Sequence, residues 1–492
     1  MVFSSFEFIF LFLPITYVVL AILARFRAAR LSIIWLLLAS LVFYGYWNPY
    51  YLILIVGSIL VNFGAGYLID PDRQTSQSMR RAMLTLILVL NIALLAYFKY
   101  LVFFVDTARA LDLTSMTMGK IILPIGISFF TFQQISYQVD RYKGEVSNKS
   151  FLNYALFVVY FPQLIAGPIV HHKEMLDQFD EGRGIKINFA NLSYGLTYFF
   201  VGLAKKSLLA DPLAVHANAV FAASEQGLKI STFDAWTGAL AYTGQIYFDF
   251  AGYSAMAIGL AAMVGIRLPL NFDSPYKSLS IQEFWRRWHI TLSRFLRDYL
   301  YIPLGGNRHG EGRRLVNLAL TMLIGGLWHG AAWTFVVWGG LHGAYLVVNR
   351  AFDVVIRKRL PSLFATIPAR AASWATTFVA VVAAWVFFRA TSFGSAFSML
   401  GSMFTNQGAG EASRLALTGY DWSLFVVAAF FAFIAPNAAQ FMKFDAPNER
   451  VKPVPAWMTW RPTPLYMTIL GIIGFLAILA TQKNNEFIYF QF

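Results

Sequence analysis

The sequence predicts an all-helical protein that crosses a membrane many times. Of its 492 residues, 58% are hydrophobic and only 13% are charged, whereas a soluble domain carries about 25% charged residues. Apolar runs long enough to cross a bilayer as a helix recur from one end of the chain to the other. Because lipid offers the backbone no hydrogen-bonding partner, such runs fold as helices. We expect one transmembrane domain over residues 1–492, with roughly eleven crossings plus re-entrant and interfacial helices.

The first part of the chain supplies evenly spaced candidate spans. Arginines follow the first apolar run rather than precede it, which argues against a cleaved signal peptide and places the N-terminus outside. Segment 151–170 is apolar but is interrupted by Pro162 and Pro168, and basic residues flank both of its ends. We therefore predict a re-entrant pair of half-helices there. The continuous candidate spans are 6–23, 31–47, 51–68, 82–105 and 121–139.

The second part of the chain is harder to order. Runs 189–204, 234–248 and 252–266 are each long enough to count as spans. Three crossings would put the following basic residues outside, against the positive-inside rule, so one of these runs is expected to lie in the plane or to re-enter. Further spans are predicted at 372–388, 422–436 and 464–481, and the aromatic tail 487–492 is predicted to lie at a membrane interface.

Composition excludes several classes of function. The chain has no cysteine, which rules out disulfides, thiolate metal sites and an acyl-cysteine intermediate. The net charge of +14 is explained by basic residues in short cytoplasmic loops, which orient the helices and meet anionic lipid. We therefore expect contact with membrane lipid and no nucleic-acid partner.

Residues 280–349 form the stretch on which a functional hypothesis depends. It opens with a basic, amphipathic segment, 280–299, in which His289 shares a helical face with Trp285 and Leu292. An apolar run, 315–349, follows and is predicted to form a hairpin or a broken pair of helices. His329 lies in the middle of this run, among glycines and alanines that let backbones or a ligand approach closely.

A histidine at membrane depth is costly and usually faces a cavity, a partner or a substrate path. Desolvation favours the neutral imidazole, which can accept a proton from an attacking hydroxyl as a general base. The alternative for His329 and His289 is simple core packing. His171, His172 and His309 lie in polar stretches and are predicted to be solvated. The spacing of His289 and His329 matches no zinc motif, so no metal is expected.

Several motifs resemble the membrane-bound O-acyltransferase superfamily, and in particular its bacterial branch that serves alginate, cellulose, peptidoglycan and teichoic acids. Together the motifs cover most of the chain. They are Met1-Val-Phe-Ser-Ser5, Phe161-Pro-Gln-Leu-Ile-Ala-Gly-Pro168, Tyr247-Phe-Asp-Phe-Ala-Gly-Tyr-Ser254, Leu268-Pro-Leu-Asn-Phe-Asp-Ser-Pro-Tyr276, Phe284-Trp-Arg-Arg-Trp-His-Ile-Thr-Leu-Ser293, Tyr301-Ile-Pro-Leu-Gly-Gly306, Gly325-Gly-Leu-Trp-His-Gly330 and Phe487-Ile-Tyr-Phe-Gln-Phe492.

The resemblance implies a ring of helices around a thin centre, with funnels from both membrane faces. It implies that His329 is the catalytic histidine and that His289 occupies the second polar position of the active site. We expect substrate contacts from Trp328, Trp285, Trp288, Asn271, Asp298 and Gln134.

The resemblance also implies the donor, the partners and the location. The acyl donor is expected to be acetyl-CoA or another acyl thioester, with no tightly bound cofactor. Expected partners are periplasmic or membrane-anchored SGNH-type acetyltransferase subunits and polysaccharide export machinery, in a bacterial inner membrane. The alternatives are a transporter or flippase, since broken helices also suit transport, a scaffold for an export complex, or an acyltransferase for another envelope polymer.

Overall fold

The computed structural model describes residues 1–119, 121–179, 185–405, 417–446, 449–481 and 487–488. These residues are mostly helical, and the predicted fold class is confirmed. The described β-structure is one antiparallel pair of two-residue strands, in which Asp445–Ala446 (β1) pairs with Glu449–Arg450 (β2). Among the described residues, five helices are long and apolar enough to cross a membrane. The total of roughly eleven crossings stays a prediction.

The N-terminal helices lie close to the predicted spans. π-helical residues Phe8–Phe12 lead directly into the first of them. The predicted run 82–105 divides at Tyr100, where one helix ends and a shorter one begins. The helices are α1 (Leu13–Arg25), α2 (Ala29–Gly45), α3 (Tyr50–Ile69), α4 (Gln77–Lys99), α5 (Leu101–Ala110) and α6 (Ile127–Tyr142).

The apolar segment 151–170 is broken, as predicted. A short helix, α7 (Phe151–Val159), ends at Tyr160, whose ψ of 111° is not helical. One further turn, α8 (Phe161–Leu164), carries Pro162 in its first turn, where a missing N–H costs nothing. The chain then runs extended to α9 (His172–Met175). The return of this segment to the same membrane face stays a prediction.

The interpretation of 234–248 and 252–266 as two spans is wrong. A single helix of 32 residues, α12 (Thr232–Met263), covers both and is about 48 Å long. Gly252 does not break it but allows close packing, because a Cβ at Gly252 would lie 2.8 Å from the carbonyl oxygen of Gly202. Glycines at such crossings let two backbones touch.

The partner of α12 is also continuous. Helix α10 (Phe189–Ala204) passes through π-helical residues 205–210 into α11 (Asp211–Glu225) without leaving helical geometry. Residues 189–263 therefore supply two long helices rather than three spans. If both helices cross the membrane, the chain returns to the side from which it came, and the basic residues after α12 are then expected on the cytoplasmic side, in agreement with the positive-inside rule.

The central stretch folds as four helices. Two short ones, α13 (Ile281–Arg287) and α14 (Ile290–Leu296), precede a helical hairpin formed by α15 (Gly310–His329) and α16 (Trp333–Phe352). The hairpin confirms the prediction for 315–349. Its backbones touch where Gly326 meets Gly339, because a Cβ on Gly339 would lie 2.4 Å from the carbonyl oxygen of Met322.

Replacing Gly339 with alanine is expected to separate α15 from α16 and to lower stability by about 1–3 kcal/mol. The matched control is Gly340→Ala, where the added Cβ would meet only the Leu323 side chain at 3.4 Å, an ordinary contact. Thermal unfolding of the detergent-solubilised protein compares the two variants. Equal unfolding temperatures would show that the contact at Gly339 is unimportant.

The C-terminal helices agree with the predicted spans 372–388, 422–436 and 464–481. π-helical residues Phe430–Ile434 extend one of them. The helices are α17 (Pro361–Ala365), α18 (Ile367–Arg389), α19 (Phe393–Phe404), α20 (Gly419–Ala429), α21 (Ala438–Phe441) and α22 (Pro464–Ala480).

The described part of the C-terminal tail lies in the core, which corrects the prediction of an interfacial position. Phe487 is buried, and its ring packs edge-on against Tyr253 with centroids 4.9 Å apart. The backbone N–H of Ile488 donates to Asp249 Oδ2 at 3.0 Å. Residues 489–492 lie outside the described residues.

A buried ion cluster holds this tail in place. Lys206 Nζ lies 2.9 Å from Asp249 Oδ1 and 2.5 Å from Asp211 Oδ1, and it also lies 4.7 Å from the centroid of the Phe487 ring. Buried charges persist only when they are paired and hydrogen-bonded. The cluster therefore joins the π-helical segment after α10, the middle of α12 and the end of the chain.

Candidate active site

The predicted continuous helix 280–299 is interrupted at His289. Helix α13 ends at Arg287 and α14 begins at Ile290, while His289 adopts a left-handed backbone conformation with φ of 44°. A non-glycine residue in this region is strained and persists only when its surroundings hold it there. The break turns the imidazole inward, and its side chain is fully buried.

Asn271 holds the strained histidine. Its Oδ1 lies 3.1 Å from His289 Nδ1 and accepts from the Thr291 hydroxyl at 2.9 Å, and its backbone carbonyl accepts from the N–H of Ile290. Its Nδ2 donates to the Ser254 hydroxyl. Because Oδ1 can only accept, Nδ1 of His289 carries the proton in the neutral ring, and Nε2 is the basic atom.

His329 is the last residue of α15, and the chain turns into an extended conformation at Gly330. Its buried ring contacts the rings of Trp328, Trp338 and Phe388, with centroids 4.9, 5.1 and 5.3 Å away. The centroid of the His289 ring is 6.3 Å from that of His329. The tertiary structure thus brings together the two histidines that the sequence singled out.

A third histidine completes the cluster. His342 is fully buried on α16, and its Nδ1 accepts from Trp285 Nε1 at 3.2 Å. It lies four residues after Trp338, on the same helical face, and the two rings are 4.9 Å apart. No role was predicted for His342 from the sequence, although its spacing from Trp338 pointed to a shared helical face. The indole N–H of Trp285 donates to His342. The predicted contact of Trp285 with substrate would therefore be made by the face or edge of its ring.

Trp328 and Trp288 form the aromatic walls around this cluster. Trp328 stacks on Phe132, with centroids 5.2 Å apart. Trp288 is buried between Phe284 and Trp385, at 5.6 and 4.9 Å. Both lie in the predicted region, Trp328 beside the two imidazoles and Trp288 in the layer behind them.

Two predicted substrate contacts have other neighbours. Asp298 is partly exposed and forms an ion pair with Arg297 at 2.7 Å. Gln134 is fully buried on α6, where its amide bonds the Ser58 hydroxyl and accepts from Tyr154. Asp298 lies at the protein surface, and Gln134 connects α6 to α3 and α7. Their roles toward substrate remain predictions.

Two histidines that were expected to be solvated are not. His172 is buried, with Nδ1 3.4 Å from Asp140 Oδ2. His171 Nδ1 lies 3.3 Å from the Tyr299 hydroxyl, which donates to Asp140 at 2.6 Å. Burial lowers the pKa of His171 to about 4, so its ring is neutral at physiological pH. The third, His309, is exposed as predicted.

Lys99 was missed, although a lysine inside an apolar run is itself a sign of function. It ends α4, and its Nζ lies 2.5 Å from the carbonyl oxygen of Trp328 and 3.1 Å from that of His329. It is also 5.7 Å from the Trp328 ring centroid. The Lys99 amino group therefore lies directly behind the backbone that carries the candidate catalytic histidine.

A cleft of about 650 Å³ opens beside α13, α14 and α15. Its buried wall includes Trp285, Leu296 and Met322. The Trp338 ring contacts both Trp285 and His329, with ring centroids 5.8 and 5.1 Å apart. The rest of the wall is strongly basic, with arginines at 286, 294, 297, 314 and 350.

Within the described residues, no three acidic, histidine or cysteine side chains converge as metal ligands. What the arrangement offers instead is two buried imidazoles near a basic cleft that can attract an anionic ligand. Such a site suits proton transfer during attack by a hydroxyl. Fold and site together define a multi-pass membrane protein with two buried histidines close to a basic cleft.

The chain belongs to the membrane-bound O-acyltransferase family, whose sequence profile matches residues 80–397. It is therefore an O-acyltransferase, which favours the leading hypothesis over the transporter and scaffold alternatives. It is 43% identical to the probable alginate O-acetylase AlgI of Pseudomonas aeruginosa, over 100% of both chains. It is 39% identical to the peptidoglycan O-acetyltransferase of Helicobacter pylori, over 100% of this chain and 98% of that relative.

A more distant relative shares only part of the chain. The teichoic acid D-alanyltransferase of Streptococcus thermophilus is 29% identical over 255 aligned residues, which cover 48% of this chain and 58% of that relative.

Proposed function

We propose that the chain moves an acetyl group from a cytoplasmic acyl thioester across the bacterial inner membrane for O-acetylation of an exported polysaccharide. One observation carries this proposal. The imidazoles of His289 and His329 lie with ring centroids 6.3 Å apart, and the Trp338 ring connects His329 to Trp285 in the wall of an arginine-lined cleft, which the positive-inside rule assigns to the cytoplasmic side. The cleft supplies an entry for an anionic donor, and the imidazoles supply the base.

His329 acts as the general base. It takes the proton from the acceptor hydroxyl as that oxygen attacks the thioester carbonyl carbon. The tetrahedral intermediate then collapses, the carbon–sulfur bond breaks, and the proton passes to the departing thiolate. His289, held through Nδ1 by Asn271, orients the reacting groups. Direct transfer fits a chain without cysteine.

The donor reaches this site only when a side chain moves. The cleft ends at Trp285, Leu296 and Met322, all buried. Because the Trp338 ring contacts both Trp285 and His329, Trp338 would have to move together with Trp285 or Leu296 to open the way to His329, and a loaded thioester arm is long and thin enough to use a narrow passage. We expect the arginines to bind the phosphate groups of the donor, since guanidinium matches phosphate geometry.

Replacing Arg286 with glutamine is expected to raise KM for acetyl-CoA about tenfold with little change in kcat, because a lost charge-assisted hydrogen bond is worth about 1.5–3 kcal/mol. Arg286 is exposed and lines the cleft, whereas the other four arginines form ion pairs with Glu174, Asp298 or Glu311. Steady-state kinetics at two salt concentrations measure the effect. Arg313→Gln, an exposed arginine outside the cleft lining, serves as the control. Equal KM values for the two variants would contradict binding of the donor in this cleft.

The acceptor is an exported polymer, reached with SGNH-type acetyltransferase subunits and the export machinery. Full-length similarity to an alginate O-acetylase and to a peptidoglycan O-acetyltransferase supports acetyl transfer at the cell envelope. Both relatives align over the whole chain at similar identity, so peptidoglycan is the second candidate acceptor.

Radiolabelled acetyl-CoA supplied to the cytoplasmic side of membranes that contain the chain tests the proposal. We expect label in an exported exopolysaccharide, released by mild base as expected for an ester. Label in the peptidoglycan fraction alone would favour the second acceptor. No labelled ester in any polymer, with active partner subunits present, would contradict the proposed function.

A further inference from the structure

Two adjacent residues, Lys99 and Tyr100, form hydrogen bonds to the backbone carbonyls at the C-terminal end of α15. Lys99 Nζ lies within hydrogen-bond distance of the carbonyl oxygens of Trp328 and His329, at 2.5 and 3.1 Å. The hydroxyl of Tyr100 donates to the carbonyl oxygen of Leu327 at 2.9 Å. Three successive carbonyls, ending at His329, are therefore bound by residues at the junction of α4 and α5.

These carbonyls need partners from outside the helix. The last four carbonyls of an α-helix have no intrahelical donor, and water is scarce at membrane depth. Gly330 is extended, with φ of −160° and ψ of 151°, so the chain leaves the helix axis directly after His329. The C-terminal end of a helix also carries partial negative charge, which a cation stabilises.

We propose that Lys99 is a positioning residue, which fixes the backbone at His329 and thereby sets where the imidazole stands relative to the donor. This inference rests on the proposed role of His329. An ammonium group has three N–H donors, and Lys99 has three acceptors within reach, the third being the Ser128 hydroxyl at 3.5 Å. With its donors engaged, Lys99 acts through the histidine rather than on substrate.

The geometry also explains why the cation has no need of a carboxylate. Two carbonyl dipoles at a helix end, a hydroxyl and the face of the Trp328 ring, 5.7 Å away, together surround it. Each of these is a recognised stabiliser of a cation. Any substitution that removes the donors leaves carbonyls without partners next to the reacting group.

The test is steady-state kinetics of the purified full-length protein with acetyl-CoA, with rates expressed per folded molecule. Lys99→Met is expected to lower kcat about 10- to 100-fold, the size expected when a catalytic group shifts by about 1 Å, with KM for acetyl-CoA changed less than about twofold. Lys99→Arg keeps both charge and donors and is expected to restore most of kcat. Tyr100→Phe, which frees only the carbonyl of Leu327, is expected to lower kcat less than about fivefold.

The other outcomes separate this inference from the proposed function. Wild-type kcat in Lys99→Met would overturn the positioning role, and so would a raised KM with unchanged kcat, which would mean direct donor binding. If Lys99→Met does not fold, Lys99→Gln is measured in its place, with the same expected fall in kcat. His329→Ala is assayed alongside. If it is inactive while Lys99→Met is fully active, only the inference about Lys99 fails, and if it is active, the proposed catalytic role fails.

Discussion

Replacing His329 with alanine is expected to lower acetyl transfer by about 1,000-fold, while folded protein still accumulates in the membrane. A general base contributes about 100- to 10,000-fold to a reaction of this type. His329 is the buried imidazole at the end of α15, within 6.3 Å of His289. The measurement is labelled acetate incorporated into the exported polymer, normalised to the folded protein.

Two further variants make this result specific. His329→Gln keeps a polar side chain of similar length but cannot serve as a base, and it should be as inactive as the alanine variant. His309→Ala removes an exposed histidine from the loop before α15 and should leave transfer unchanged. Wild-type incorporation by either His329 variant would show that another group accepts the proton.

Replacing Lys206 with methionine is expected to be the most destabilising substitution. It would leave the carboxylates of Asp211 and Asp249 buried without their common partner, which lies 2.5 Å from one and 2.9 Å from the other. Removal of one member of a buried ion pair costs about 3–5 kcal/mol. We expect a marked fall in unfolding temperature in detergent and faster proteolysis of the tail that contains Phe487.

The neighbouring lysine provides the control. Lys205 occupies the preceding position and lines a small cavity beside Asn271, away from the Asp211 and Asp249 carboxylates that pair with Lys206. Lys205→Met is therefore expected to leave the unfolding temperature nearly unchanged, because the half-buried Lys205 side chain takes no part in that ion cluster. A similar loss in both variants would mean that the ion cluster contributes nothing beyond packing.

Much of the fold was predictable from composition and from runs of apolar residues. Helices α2, α3 and α22 begin and end within a few residues of the predicted spans, because a bilayer demands a fixed length of apolar helix. The break in 151–170 was predictable from Pro162 for a similarly local reason. His329 stood out because membrane depth makes an ionisable side chain costly.

Other features depended on contacts that no local pattern records. Gly252 was the first residue of a separate predicted run, 252–266. In the structure it lies inside α12, where it allows close approach of the backbone at Gly202. His289 fitted an unbroken amphipathic helix, and only the hydrogen bonds of Asn271 explain why the helix breaks there. The role proposed for Lys99 depends on the C-terminal end of α4 lying next to the C-terminal end of α15.

By itself, the sequence determined that this chain is a helical membrane protein and singled out two histidines as candidates for its chemistry, because the hydrophobic length of helices and the cost of buried charge are properties of single segments. The tertiary structure decided how those segments meet. It placed His289 beside His329, set His342 and Trp285 around them, and put Lys99 against the backbone of His329. Such contacts join residues far apart in the chain, and their energies arise only once the helices have packed.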